Sequence, residues 1–105
     1  MSDVSLKGID IGRMRQNSDK AANLLKKLAN QNRLLILCNL AEGEASVGEL
    51  HRKLSLSQSA LSQHLAVLRE QNLVQTRREA QTIYYSLADS DALPIIEALH
   101  RIYCE

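Results

Sequence analysis

The stretch SQSALSQ, residues 57 to 63, places Gln58, Ser59, Ser62 and Gln63 on one side of a helix and Leu61 on the other. All four polar side chains are short and uncharged. Amides and hydroxyls both donate and accept hydrogen bonds, and the edges of base pairs in a DNA major groove present the same mixture. Lysine or arginine in these places would grip phosphate at any sequence, whereas amides and hydroxyls discriminate. The competing reading is a face that is merely solvated. Solvated faces usually carry charge, and none occurs from Gln58 to Val67, which favours contact with base edges. His64 adjoins the set and, three residues after Leu61, has a second place open to it, hydrogen-bonded within a core.

Arg77, Arg78 and Gln81 form a second polar group, suited to the minor groove or the DNA backbone; two arginines also serve to shield the edge of an exposed strand. The remaining chemistry lies in two cysteines, Cys38 and Cys104. They are too few for a secreted disulfide scaffold, and in a reducing cytosol they are two free thiols. Thiols on two packed helices close into a disulfide or polysulfide bridge when their α-carbons lie about 4.4–6.8 Å apart. Composition alone favours the plainer alternative, in which Cys38 is a small core residue and Cys104 an incidental terminal thiol. Cys38 has no histidine beside it in sequence, so nothing points to a catalytic constellation, and an enzyme is not expected.

These residues need a scaffold, and 105 residues at 45% hydrophobic suffice for one modest core. A single domain over 1–105 is expected, with about residues 1–12 as a flexible tail. No stretch approaches the roughly 18 uncharged apolar residues of a membrane span, and MSDVSLKGID lacks a signal-peptide core, so a cytoplasmic protein is expected. The net charge of +1 hides a polarised chain. Residues 13 to 33 hold Arg13, Arg15, Lys20, Lys26, Lys27 and Arg33 against Asp19, whereas residues 86 to 105 hold Asp89, Asp91, Glu97 and Glu105 against Arg101. Local surface, not net charge, therefore decides whether a polyanion binds. With no Trp, no Phe and three Tyr, there is little material for single-strand stacking platforms, and duplex DNA is the better match.

Helical spacing of Leu24, Leu25 and Leu28 gives a first helix from about residue 13 to Ala29. Asn30 caps a second, RLLILCNLA, with Leu34, Leu37, Cys38 and Ala41 on one stripe, and Gly43 stops it. Ser46 and Glu49 make a capping box for a short third helix, VGELHRKL. Ser57 caps a fourth, with Leu56 and Leu61 placed as a hydrophobic staple. Two short helices joined by a tight turn describe a helix-turn-helix, and its second helix carries the Gln/Ser set. LVQTRRE, a break AQT, and IYYSL then read as a small β-hairpin with its tip near Ala80, which makes a wing. Ile83, Tyr85 and Leu87 alternate there against Tyr84 and Ser86. Asp89 or Asp91 caps a last helix to about Cys104, with Pro94 near its start. The fold class is mainly α with a small β-hairpin: a winged helix-turn-helix of about five helices plus the wing. Leu93, Ile95, Ile96, Leu99, Ile102 and Tyr103 make the last helix apolar almost all round, and a second copy of the chain is the simplest cover for the surplus, as a two-fold homodimer.

NLLKKLANQNRLLILCNL, SVGELHRKLSLSQSALSQHLAVLREQNLV and TRREAQTIYYSL together resemble the winged-helix regulators of the ArsR/SmtB family, over about residues 18 to 104. The resemblance implies dimers built through the first and last helices, binding double-stranded DNA at a near-palindromic operator and altered by an effector. Many members sense metals through cysteines in the third helix or through Asp and His on the last. Here the third helix has no cysteine, Asp89, Asp91 and Glu105 approximate only part of the second site, and the place of its central histidine falls on an apolar residue near Ile102. Carboxylates alone make a poor zinc site, so no metal and no cofactor is expected, and His100 reads as an interface or solvent histidine. The placement of ILCNL and RIYCE is similar to the HlyU-type dithiol members, which respond to oxidants or reactive sulfur species. That likeness favours Cys38 and Cys104 as a switch, with an oxidant or sulfane sulfur as effector, over a constitutive regulator with structural cysteines or a winged-helix protein-interaction module.

Overall fold

The computed structural model describes residues 10–104. They form five helices and a three-stranded antiparallel sheet. Helix α1 (Ile11–Leu28) begins at Asp10, whose carboxylate accepts from the amide of Arg13 at 3.1 Å. Ile11 and Gly12, assigned from sequence to a tail, are thus helical, and the rest of that tail, residues 1–9, lies outside the described residues. The first ten residues of α1 are exposed and only Leu28 is buried, in keeping with an elongated outline of 50 × 27 × 22 Å. A helix owes most of its stability to packing of an apolar face, and α1 packs little within its own protomer.

Helix α2 (Gln31–Leu40) is capped by Asn30, whose side chain accepts from Arg33 at 3.0 Å, and the chain breaks at Gly43 with φ 144°. The buried residues of α2 are Ile36, Leu37 and Leu40, rather than the stripe expected from spacing; Leu34, Cys38 and Ala41 are only half-buried. The reason is that α2 packs on α5 (Leu93–Cys104), on α4 (Gln58–Glu70) and on strand β3 (Thr82–Leu87) together, so no single stripe describes it.

Strand β1 (Ala45–Ser46) leads into α3 (Val47–Lys53) through both bonds of the expected capping box, Glu49 amide to Ser46 Oγ at 3.2 Å and Ser46 amide to Glu49 Oε1 at 2.8 Å. Hydrogen bonding from Ser46, its backbone amide first and then its side chain, holds the Glu49 carboxyl below its ordinary range. Ser57 caps α4 by accepting from Ala60 at 3.1 Å, and Leu56 packs on the core that receives Leu61, Leu65 and Leu68. The far end of α4 turns at Asn72, φ 60°, with Leu73 donating to Leu68 and Asn72 to Arg69: a Schellman motif in which asparagine takes the glycine place.

Strands β2 (Val74–Glu79) and β3 pair from Val74↔Leu87 to Glu79↔Thr82 around the two-residue turn Ala80–Gln81, and β1 joins on the far side of β3 through Ala45↔Tyr85 and Ser46↔Tyr84. The hairpin is the predicted wing, with its tip where expected. Tyr85 and Leu87 pack on the core, but Ile83 of the same alternation is 40% exposed because the hairpin has passed the edge of the body by then. At the start of α5 the bonds come from Ser90, whose Oγ accepts from Ala92 at 3.2 Å and whose carbonyl accepts from Leu93; neither Asp89 nor Asp91 is the cap expected from sequence. Among the described residues no helix is long and apolar enough to cross a membrane, and the buried core contains no polar side chain.

Ala80 holds φ 56°, a region where a Cβ is unfavourable and glycine is at ease. Ala80→Gly is expected to stabilise the protein by about 0.5–1 kcal/mol, read as a higher urea midpoint at unchanged slope.

Candidate functional site

Helix α4 presents two unlike sides. Leu61, Leu65 and Leu68 are at most 1% exposed, while Gln58, Ser59, Ser62 and Gln63 are all exposed on the outward face of the helix's N-terminal half, and Ala66 continues that exposed face. The Ser59 hydroxyl lies 3.5 Å from the capping Ser57 hydroxyl, so the two mark the open N-terminus of the helix. His64, the uncertain member of the set, is half-buried between the two faces. Ser62 also lines a surface cleft of about 480 Å³ with Val47, Arg69 and Tyr85, between α4 and the sheet.

The wing separates its two arginines. Opposite Ile83, Arg78 is exposed and on the other face of the ribbon from Arg77, and Gln81 is exposed in the turn. Arg77 is engaged: its Nε and Nη2 donate to the two carboxylate oxygens of Glu44, both at 2.7 Å, and its guanidinium sits 4.6 Å from the Tyr84 ring centre. The bidentate bond holds the Glu44 carboxyl below its ordinary 4.5 and pushes Arg77 further up. A carboxyl depressed in this way keeps its partner at every pH above that ordinary value and lets go only in stronger acid.

Cys38 and Cys104 line one apolar cavity of about 450 Å³ between α2 and α5, walled by Leu34, Leu35, Leu99 and Tyr103. Cys38 is half-buried, Cys104 is exposed, and neither is bridged. Burial, then the nearness of Cys104, then Glu42, push the Cys38 thiol above its ordinary 9.0. Beside the cavity, His100 of α5 meets Glu42, two residues past α2, at 3.2 Å.

The pattern of the bacterial regulatory proteins of the arsR family matches residues 30–76 of this chain. The transcriptional activator HlyU of Vibrio cholerae is 55% identical over 102 residues, which cover 95% of this chain and 94% of the relative. The chain belongs to the arsR family. Among solved structures, the regulator HlyU of Vibrio vulnificus superposes with a TM-score of 0.83 at 56% identity, covering 91% of this chain and all of that one. A homodimeric winged helix-turn-helix DNA-binding domain from Mycobacterium bovis, a possible ArsR-family regulator, superposes with 0.69 at 30% identity, covering 92% and 89%. This arsR-family protein is accordingly a DNA-binding transcriptional regulator on a winged helix-turn-helix, and not an enzyme.

Two features of this arsR-family chain escape the reading of its sequence. His51, Arg52 and Lys53 are exposed in the last turn of α3, the helix that crosses the DNA backbone in a helix-turn-helix; the run HRK was its visible signal. Glu44 had no signal, since its partner is 33 residues away. Among the described residues no three His, Cys, Asp or Glu side chains gather as a metal cluster; Glu105, one of the carboxylates weighed for such a site, lies outside those residues.

The thiols are predicted to alkylate unequally. With iodoacetamide at neutral pH, exposed Cys104 is expected to react first, and the rate at Cys38 to keep climbing with pH beyond 9.0, because its raised thiol is not yet fully ionised there. Peptide mass spectrometry over a time course reads both rates.

Proposed function

We propose that this protein binds double-stranded DNA in the cytoplasm as a homodimer at a near-palindromic operator, and that oxidation or reactive sulfur at Cys38 and Cys104 modulates the binding. The observation that carries the DNA reading is the exposed, uncharged Gln58–Ser59–Ser62–Gln63 face opposite a fully buried leucine face. That face reads base edges, with His64 at its margin, and Arg78 and Gln81 reach DNA from the wing. The homodimer is supported by apolar side chains left bare on the first and last helices: Ile11, Met14 and Leu25 on α1, Ile102 and Tyr103 on α5. The M. bovis relative, a homodimer, shares this fold.

The thiol reading is supported by the shared cavity. Reaction starts at Cys104, the exposed thiol of the two, while burial disfavours the thiolate of Cys38. A persulfide RSSH passes its outer sulfur to Cys104, giving Cys104–SSH and RSH. Cys38, having given up its proton, then attacks the inner sulfur as a thiolate, forming the Cys38–Cys104 disulfide and expelling hydrosulfide, which takes up that proton and leaves as H2S. A peroxide reaches the same bridge through a sulfenic acid at Cys104, with water leaving. The bridge ties α2 to α5 and changes the spacing of the two α4 helices in the dimer.

Selection of bound fragments from genomic DNA, with and without reductant, tests both halves. Gln63→Ala is expected to lose about 1–3 kcal/mol on the selected duplex and much less on random DNA; equal loss on both removes Gln63 as a base reader. Cys38→Ser and Cys104→Ser are each expected to bind like the reduced wild type and to ignore sulfane sulfur. If binding collapses on treatment while mass spectrometry finds Cys38 unmodified, the two-thiol mechanism is wrong.

A further inference from the structure

Arg77 makes a contact that crosses the whole sheet. The sheet order is β1-β3-β2, with Arg77 of β2 opposite Tyr84 of β3, and Tyr84 opposite Ser46 of β1. The Arg77 guanidinium passes over the Tyr84 ring at 4.6 Å and ends on both oxygens of Glu44, the residue entering β1. Its Nη1 lies 3.7 Å from Glu79. Fork-to-carboxylate geometry fixes an angle as well as a distance. Such a fixing matters here because β1 offers only two residue pairs to hold the hairpin, and everything from Arg77 to Ile83 is exposed. Glu44 also follows α2 after only three residues, so the strap joins the wing to the thiol-bearing helix.

We infer that Arg77 is a positioning residue: through Tyr84 and Glu44 it sets the angle of the wing to the helix-turn-helix, so that Arg78 and Gln81 meet DNA together with α4. Its charge remains on Glu44 instead of passing to a phosphate. The inference rests on the proposed wing contact. It runs against simple electrostatics, and that makes it decidable. Deleting a carboxylate near DNA normally strengthens binding by easing repulsion; deleting Glu44 here weakens it, because the wing loses its angle.

The test uses Glu44→Ala, Arg77→Gln, the double variant and Arg78→Ala, each titrated against the duplex recovered by genomic selection over a range of salt. Amide hydrogen exchange is measured on the same proteins without DNA. Glu44→Ala and Arg77→Gln are each expected to weaken binding about three- to tenfold, with the double variant no weaker than either, as for two ends of one contact. The slope of log affinity against log salt stays that of the wild type in all three, whereas Arg78→Ala lowers it by about one. Without DNA, β2 and β3 amides exchange faster in Glu44→Ala while α4 amides do not change. Tighter binding by Glu44→Ala, or a slope reduced by about one in Arg77→Gln, overturns the inference and makes Arg77 a phosphate ligand. If Arg78→Ala alters neither affinity nor slope, the wing contact fails and takes the DNA half of the inference with it. The exchange rates judge the strap independently: acceleration upholds it and unchanged rates overturn it.

Discussion

Burial of Leu61, Leu65 and Leu68 decides which side of α4 faces outward. Each leucine gains about 1.5–3 kcal/mol by leaving water, and any rotation of the helix that turned Gln63 inward would expose at least one of them. The helix is fixed along its axis as well, by the Ser57 cap at one end and the Asn72 turn at the other. Among the described residues no polar side chain is buried in the core to favour another arrangement. The outward position of four uncharged polar residues is therefore a consequence of apolar packing behind them, and the face proposed to read base edges is presented without any interaction of its own to hold it.

Helix α2 connects this packing to the thiols. Ile36, Leu37 and Leu40 face the core, while Leu34, Leu35 and Cys38 face the cavity shared with α5. Close-packed interiors shift between discrete arrangements and do not deform smoothly. Under the proposed thiol reading, a covalent change at Cys38 acts on a helix whose other side lies against α4 and β3, and whose C-terminal end leads to Glu42 and Glu44, partners of His100 and Arg77. Core, dimer helix and wing all meet α2, which makes it the natural place for a regulatory group.

What could be read from the sequence follows from the range of the interactions involved. The Asn30, Ser46 and Ser57 caps, the leucine face of α4 and the hairpin tip at Ala80 depend on residues within a few positions of one another, and all were legible. The start of α1 at Asp10 was equally local, but spacing drew the eye to its apolar second half, Leu24 to Leu28. The buried face of α2 was misjudged because three partners share it, and the start of α5 because two aspartates flank the serine whose hydroxyl and carbonyl hold the turn before it. Strand β1 is too short to show a period of two, and the Glu44–Arg77 contact depends on sheet order, which no local pattern encodes. The Gln58–Gln63 face was found by its chemistry, and its exposure follows from the same local pattern. The meeting of Cys38 and Cys104 on one cavity came from the family likeness, since spacing across 66 positions carries no geometry of its own.

On the proposed reading α4 and the wing both meet DNA, and the two are held by different physics, which bears on specificity. α4 is oriented by burial of apolar surface, which ordinary salt hardly touches. The wing is oriented by an exposed ion pair at 2.7 Å, well inside the Debye length of about 8 Å at physiological salt. Bulk screening falls mainly on long-range attraction between exposed cations and phosphate, which on the proposed reading includes Arg78 of the wing. Raising the salt should then lower affinity for all DNA together, while the helix that distinguishes one sequence from another keeps its orientation. In such an arrangement selectivity outlasts affinity, because the side chains that discriminate carry no charge and the leucines that aim them lie out of reach of the solvent.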